Sequence, residues 1–280
     1  MSVLDLSSYD LDTLDAPCMR AAGVTGVILG VYSPSDAPNR MRQAAQSCRD
    51  AGIDILGFYG LVYFGDPHGE TRDTRWAIQL AQEFDVNRVW LDCEMDARAA
   101  GWSQAPVPAP SGRVSAIHTA VDAVRLAGLS PGIYTGSWWW RPNTNDSTSF
   151  ASLPLWHSDY GANDGTREPV LEVNYGGWTK VAVHQYTSRL FVCGRERDAN
   201  YVFEEDEMTN EERQMLQEVW DALVGRGNPA GVTRLADWNA NGNSLLDGYT
   251  IEQEKLADHL TVHPSGASVA RGTVLKVEVL

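Results

Sequence analysis

Apolar runs of strand length alternate with amphipathic segments of helix length over residues 1–203. This rhythm is typical of a parallel sheet that is covered by helices. Strands are predicted at 3–6, 24–31, 53–59, 89–94, 132–135, 153–157, 181–186 and 199–203. Helices are predicted at 11–22, 39–51, 70–84 and 114–127, the second of them closed by Gly52. The helical pattern stops after about residue 140, and irregular chain is expected between the last two strands.

The fourth predicted strand ends in two carboxylates that are separated by one residue. Side chains alternate along a strand, so Trp90, Asp92 and Glu94 share one face. Acidic side chains are rarely buried without a partner, so this face is expected to line a cavity, although such a pair can also cap a helix or bind an arginine. A proline-rich loop is predicted at 95–113, directly after the acids, where barrel loops build active sites.

The composition changes at the acidic run 204–207, which predicts a boundary between a domain at 1–203 and a small C-terminal module at 204–280. The module begins with a capping box at 209–212 and an apolar stripe over 215–224. A turn-rich segment at 228–248, a short helix at 251–260 and a strand-like tail at 272–280 follow. Asp237 to Gly242 resembles the start of a calcium loop, but Gly248 stands where a bidentate acid is needed, which favours an ordinary turn.

Charge and hydropathy exclude two classes of partner. The 280-residue chain carries a net charge of −15, which argues against binding to a nucleic-acid backbone. No apolar run reaches the roughly 18 residues of a membrane span, so no membrane insertion is expected. The N-terminus lacks the basic region of a signal peptide, so we expect no signal peptide and a cytoplasmic site of synthesis.

The four cysteines are scattered, and they show neither a CxxC pair nor the spacing of metal ligands. Small buried hydrophobic positions are therefore predicted for Cys18, Cys48, Cys93 and Cys193, rather than a disulfide framework.

Several separated segments together resemble the glycoside hydrolase family 25 lysozymes, which are N-acetylmuramidases common among bacteriophage endolysins. The segments are Asp5-Leu6-Ser7, Leu91-Asp92-Cys93-Glu94, Ile133-Tyr134-Thr135-Gly136, Leu155-Trp156 with Tyr160, His184-Gln185-Tyr186-Thr187-Ser188 and Asp198-Ala199-Asn200. Their order and spacing cover nearly all of residues 1–203. The resemblance implies an α/β fold, a TIM-like (β/α)5(β)3 barrel, that acts on bacterial peptidoglycan without a cofactor or metal.

The resemblance also implies the roles of four acids. Glu94 would protonate the glycosidic oxygen, while Asp92 would stabilise charge as the sugar's acetamido group attacks the anomeric carbon. Asp5 and Asp198 match the family's other two acidic positions. The chemistry requires one carboxyl that keeps its proton and another that is ionised, and crowding several acids in one cavity separates their pKa values in this way.

Aromatic residues stand at several predicted strand ends, where their rings and hydroxyls suit sugar rings and acetamido groups. Substrate binding is assigned to Tyr59, Tyr63, Tyr134, Trp156, Tyr160 and Gln185. At least one ring of the run Trp138-Trp139-Trp140 is expected at the cleft or at a contact surface. No role is assigned to His184.

Other functions stay open. A chitinase-type barrel resembles an Asp-x-Asp-x-Glu strand, but Trp90 stands at the first of those positions. The barrel could instead be a phage-particle component that binds or opens the wall, with 204–280 as its docking or self-association surface. Residues 204–280 could also bind the wall. The expected location is the host cytoplasm on synthesis, followed by the cell wall after release, or alternatively the phage particle.

Overall fold

The computed structural model describes residues 2–32, 37–65, 71–96 and 106–203. Eight strands close into a barrel in chain order. The strands are β1 Ser2–Leu6, β2 Val24–Val31, β3 Asp54–Leu61, β4 Arg88–Asp92, β5 Ser130–Thr135, β6 Leu155–Ser158, β7 Val183–Val192 and β8 Arg195–Val202. The helices are α1 Ala16–Ala21, α2 Ala37–Asp50, α3 Arg72–Glu83, α4 Pro110–Leu126 and α5 Ser137–Thr144. The predicted (β/α)5(β)3 barrel is confirmed.

The direction of the last strand positions the site. Neighbouring strands from β1 to β7 are parallel, whereas β8 is antiparallel to both β7 and β1. Because β8 closes the barrel, its residue Asp198 pairs directly with Asp5 of β1. Two acids that are far apart in sequence therefore lie side by side.

Apolar side chains form two layers, one inside the barrel and one between the strands and the helices. The inner cluster consists of Val3, Ile28, Tyr59, Trp90, Tyr134, Trp156 and Val183. Leu91 and Cys93 belong to the outer layer. The predicted alternation along β4 is thus confirmed, with Trp90 and Asp92 on the inner face.

Several predicted boundaries are wrong. The predicted helix 11–22 is divided into a 3-10 turn at Leu11–Thr13 and α1, because Asp15 accepts a hydrogen bond from the Cys18 N–H and starts a new helix with Pro17 in its first turn. Strand β4 ends at Asp92, two residues before Glu94. Helix α4 begins at Pro110, inside the predicted loop 95–113, because proline suits the first helical position.

The region after residue 136 is more regular than predicted. Helix α5 contains the tryptophan run despite Pro142. Strand β7 continues past its predicted end to Val192, and β8 begins before its predicted start, at Arg195, so that the two form a hairpin in place of irregular chain. Its turn consists of Cys193 and Gly194, with φ of 51° and 79°, and this left-handed backbone matches the twist of paired strands.

A disulfide joins Cys18 in α1 to Cys193 in the β7–β8 turn, with a Cα–Cα distance of 6.0 Å. The prediction of four unpaired cysteines is wrong for these two, because a sequence separation of 175 residues gives no local spacing signal. The prediction is confirmed for Cys48 and Cys93, which are free and buried. The disulfide ties the hairpin that carries Asp198 to the start of the barrel.

Removing this disulfide should destabilise the barrel. In the chain-entropy model, a crosslink across 175 residues stabilises the fold by about 5 kcal/mol. Urea unfolding of the Cys18→Ala/Cys193→Ala variant should therefore show a much lower midpoint than the oxidised wild type. Adding reductant should lower the wild-type midpoint towards that of the variant and leave the variant unchanged. Equal midpoints for all samples would contradict a stabilising role.

The predicted module at 204–280, including the candidate calcium loop, lies outside the described residues, as do 97–105 of the predicted loop and the predicted helix start at Glu70. Within the described ranges, no helix combines the length and apolar character that crossing a bilayer requires.

Candidate active site

A cavity of about 310 Å³ opens where the carboxyl ends of the parallel strands meet. Its acidic lining residues are Asp5, Asp92, Glu94 and Asp198. Its aromatic lining residues are Tyr9, Tyr32, Tyr59, Tyr134, Trp156 and Tyr160, and the rest of the lining is Ser7, Leu61, Met95 and Gln185. The four acids predicted from three separate segments of the sequence thus face one space.

Three of the four acids lie on strands, and the fourth, Glu94, lies just beyond one. Asp5 lies on β1 opposite Asp198 on β8, and Asp92 is the last residue of β4. Glu94 follows β4 by two residues. The chain beyond it is fixed by Asp96, whose two carboxylate oxygens accept hydrogen bonds of 2.9 and 2.8 Å from the buried Arg113 guanidinium of α4. This bidentate ion pair anchors the segment that carries Glu94.

The carboxylate of Asp5 is surrounded by amide donors. The Gln185 side chain donates to both Asp5 oxygens at 3.0 Å, and the Asn200 side chain donates to Oδ1 at 2.8 Å. Asn200 is oriented in turn by Trp156, whose indole N–H donates to its oxygen at 2.8 Å. Hydrogen bonds of this kind stabilise the ionised form of a carboxyl.

Asp92 has a different environment. The Tyr32 hydroxyl donates to Asp92 Oδ2 at 2.8 Å, while Oδ1 is buried and has no hydrogen-bond partner in the described part of the chain. Burial, followed by the negative charge of Glu94, raises the pKa of Asp92 well above its usual range, and the bond from Tyr32 opposes this rise. A buried acceptor without a donor is costly, so Oδ1 is prepared for a donor from a ligand.

The other three acids also have raised pKa values. Burial and then the charge of Asp5 raise the pKa of Glu94 to about 7, and the same two causes raise that of Asp198 to about 8. Burial raises the pKa of Asp5 to about 6, against the bonds from Gln185 and Asn200. Near neutral pH, Glu94 and Asp198 therefore hold protons, as acid catalysis requires, whereas Asp5 is mostly ionised.

Most residues assigned to substrate binding line this cavity, but Tyr63 does not. Tyr63 lies two residues beyond β3 and is 1% exposed, and its hydroxyl donates to Asp73 at 2.5 Å. The guanidinium of Arg72 lies over its ring at 4.6 Å. The assignment of Tyr63 to substrate binding is therefore wrong, because the side chain packs against α3 and not into the cavity.

The sequence interpretation missed several residues of the site. The unassigned lining residues are Ser7, Tyr9, Tyr32, Leu61 and Met95. Asn200 is outside the lining and donates a hydrogen bond to Asp5. A signal existed for Tyr32, which directly follows β2, just as the assigned aromatics follow other strands. Tyr9, at 73% exposed, forms the rim, 6.1 Å from the ring of Tyr32.

The tryptophan run and His184 contribute to the fold. Trp139 and Trp140 are buried in the outer apolar layer, whereas Trp138 is 58% exposed and outside the cavity lining. His184 is buried, where it accepts a hydrogen bond from the Val170 N–H and donates to the Asp159 carbonyl.

Among the residues that the structure describes, no group of three or more His, Cys, Asp or Glu side chains could hold a metal ion.

Comparison with known proteins identifies relatives of this barrel. Residues 4–195 match the model of the family described as "Glycosyl hydrolases family 25". "Probable GH family 25 lysozyme 3" of Dictyostelium discoideum is 28% identical over 113 residues, which cover 40% of this chain and 22% of that protein. The matched segment therefore spans about a fifth of that relative's length.

Solved structures share the fold at low sequence identity. The bacterial lysozyme from Streptomyces coelicolor has a TM-score of 0.55 and 14% identity, with coverage of 74% of this chain and 93% of that one. The catalytic domain of endolysin ply40 from bacteriophage P40 of Listeria monocytogenes has a TM-score of 0.52 and 16% identity, with coverage of 78% and 97%. These similarities establish the barrel fold.

Proposed function

Because the chain belongs to glycosyl hydrolase family 25, we propose that it is a peptidoglycan hydrolase that cleaves the β-1,4 bond between N-acetylmuramic acid and N-acetylglucosamine. The observation that carries the proposal is the convergence of Asp5, Asp92, Glu94 and Asp198 on one cavity. Helix caps and structural ion pairs do not require four acids around a single space, whereas glycoside hydrolysis requires carboxyls in different protonation states.

In the proposed mechanism, the Glu94 carboxyl gives its proton to the glycosidic oxygen as the bond from that oxygen to the anomeric carbon breaks. The acetamido oxygen of the same sugar attacks the anomeric carbon, and the positive charge that develops on the acetamido group is stabilised by Asp92. The Glu94 carboxylate then takes a proton from water, which opens the cyclic intermediate. Two displacements at one carbon retain its configuration.

Two features of the site support this assignment of roles. The raised pKa of Glu94, about 7, lets it hold a proton that it can donate. Asp92 Oδ1, buried and unpartnered among the described residues, is an acceptor available to an acetamido N–H. Tyr59, Tyr134, Trp156 and Tyr160 supply apolar ring surface and hydroxyls around the same space.

The test of this function is mass spectrometry of the fragments released from purified bacterial walls. We expect fragments with N-acetylmuramic acid at the reducing end, because the proposed bond lies on that side of the sugar. Proton NMR of the first product should show the β anomer, as retention requires. Fragments ending in N-acetylglucosamine, or cleavage only of peptide bonds, would refute the proposed specificity.

The site of action is proposed to be the cell wall. Disulfides persist in oxidising compartments, so the Cys18–Cys193 disulfide favours action outside the cytoplasm after release of the protein.

Wall binding or self-association through 204–280 stays a proposal for those residues. The comparisons give no support to a phage-particle component, because bacteriophage P40 endolysin and Streptomyces coelicolor lysozyme are both low-identity neighbours of the same barrel.

A further inference from the structure

The side chain of Gln185 on β7 links the acids of the site to its phenols. It is 2% exposed. Its amide nitrogen donates to both oxygens of Asp5 at 3.0 Å and to Asp198 Oδ2 at 3.5 Å. Its amide oxygen accepts from the hydroxyls of Tyr134 at 2.7 Å, Tyr160 at 2.8 Å and Ser158 at 3.3 Å.

These partners fix the orientation of the amide. A carboxylate only accepts hydrogen bonds, so the NH2 group of Gln185 has to face Asp5, and the carbonyl oxygen has to face the hydroxyls. With this orientation, both N–H groups and both lone pairs of the amide are used by the protein. Gln185 therefore has no polar capacity left for a substrate, although it was assigned to substrate binding from the sequence.

The same orientation fixes the phenols. A tyrosine hydroxyl has one proton. Tyr160 directs its proton at Gln185, whereas the hydroxyl of Tyr134 bonds both Gln185 and the carboxyl of Glu94. Tyr32 directs its proton at Asp92 in the same way. Towards the cavity, the oxygens of Tyr32 and Tyr160 therefore act as acceptors, which suits the hydroxyl and N–H donors of an amino sugar.

We propose that Gln185 is a positioning residue that sets the direction of hydrogen bonding throughout the pocket. It holds Asp5 as an ionised acceptor beside the proton-bearing Glu94, and it accepts from the hydroxyls of Tyr134 and Tyr160, which leaves the Tyr160 oxygen as an acceptor for substrate donors. This inference rests on the proposed glycoside hydrolysis and adds a residue that acts through others.

The electrostatics of the pocket are consistent with this role. Bonds from Gln185 and Asn200 oppose the effect of burial on the pKa of Asp5, and the charge of Asp5 is, after burial, the main cause of the raised pKa of Glu94. The other titratable groups around these two acids are Asp10 after β1, Tyr32 after β2, Tyr59 on β3, Asp92 on β4, Tyr134 on β5, Tyr160 after β6 and Asp198 on β8. The buried Arg197 forms an ion pair with Asp10.

The test compares Gln185→Leu and Gln185→Glu by the pH dependence of kcat/KM on wall fragments. Leucine removes the donors to Asp5, so Asp5 is less ionised, and the pKa of Glu94 falls. Glutamate has the same shape but adds a negative charge, so the pKa of Glu94 rises. The basic limb of the pH profile of kcat/KM reports loss of the proton from Glu94. This limb should therefore move to lower pH in Gln185→Leu and to higher pH in Gln185→Glu, by about 1 pH unit each.

Gln43→Glu, at an exposed position of α2, adds the same charge away from the site and should leave the profile unchanged. The KM should stay near the wild-type value in Gln185→Glu, whose carboxylate still accepts from Tyr134 and Tyr160, and should rise in Gln185→Leu, which leaves these phenols without their acceptor. A raised KM with both limbs at the wild-type pH would mean that Gln185 binds substrate directly, and would overturn the inference. Circular dichroism reports folding, and the isosteric glutamate variant keeps the test valid if the leucine variant unfolds.

A second readout does not depend on activity. Carbon-13 NMR titration of the carboxyl groups in the free full-length protein should show a higher pKa for Asp5 in both variants than in the wild type, and a lower pKa for Glu94 in Gln185→Leu. Unchanged titrations would refute the role of Gln185 even if walls are cleaved. If the wild type releases no wall fragments, the proposed function fails, while the titrations still decide the positioning role.

Discussion

Glu94→Gln is expected to lower kcat for release of wall fragments by about 10²- to 10⁴-fold, the usual contribution of a general acid. Glutamine keeps the shape of the side chain but has no proton that it can transfer to the glycosidic oxygen. The KM should change little, because the amide still fits the cavity. The measurement is the rate at which reducing ends appear in a suspension of purified walls.

The same variant should be more stable than the wild type at neutral pH. The folded-state pKa of Glu94 is raised from 4.5 to about 7, so the folded protein binds a proton more tightly than the unfolded chain does. The wild type therefore loses stability as pH rises between these two values, and Glu94→Gln removes that loss. Differential scanning fluorimetry should show a difference in melting temperature that grows between about pH 5 and pH 8.

Glu196→Gln on β8 is the matched control, since Glu196 is exposed on the same barrel. It should retain wild-type kcat. Full activity in Glu94→Gln would refute the assignment of the general acid. A large fall in its melting temperature would mean that the loss of activity reflects unfolding, and would contradict the electrostatic account of this site.

Much of the barrel was predictable because its physical signal is local. The strand at Val24–Val31 was predicted at its exact limits, since a run of apolar and small residues between two turns has few other interpretations. Helix α5 was missed because Trp138 to Trp140 and Pro142 are unusual in a helix, and packing of two indoles in the outer layer overrides that weak preference. The disulfide was missed because its cysteines meet only after the barrel closes.

The acids of the site were predicted, but their support was not. Resemblance to a family identified Asp5 and Asp198, and the antiparallel closing strand explains why they meet. The bonds that set their protonation come from Gln185, Asn200 and Tyr32, whose directions depend on the three-dimensional arrangement of partners. Sequence can indicate which side chains gather at strand ends, but it does not specify which atom donates to which.

Asp92→Asn is expected to lower kcat by about 10²-fold or more, close to the effect of losing other groups that stabilise transition-state charge. Asp92 Oδ1 is buried without a donor among the described residues, and the acetamido group that attacks the anomeric carbon gains positive charge. When Glu94 holds its proton, the negative charge that, after burial, most raises the pKa of Asp92 is absent, and Asp92 can carry the stabilising charge that an asparagine lacks. The measurement is kcat on wall fragments, with product anomers followed by NMR.

Two comparisons separate this role from simple structural support. Tyr32→Phe removes the hydroxyl that donates to Asp92 Oδ2 but keeps the Asp92 carboxylate, so its effect on kcat should be much smaller than that of Asp92→Asn. Asp122→Asn, at an exposed position of α4, removes the same charge away from the site and should have no effect. If Tyr32→Phe and Asp92→Asn lose activity equally, Asp92 serves mainly to hold Tyr32. Retention of most of the wild-type kcat by Asp92→Asn would exclude its carboxylate from stabilising the acetamido charge.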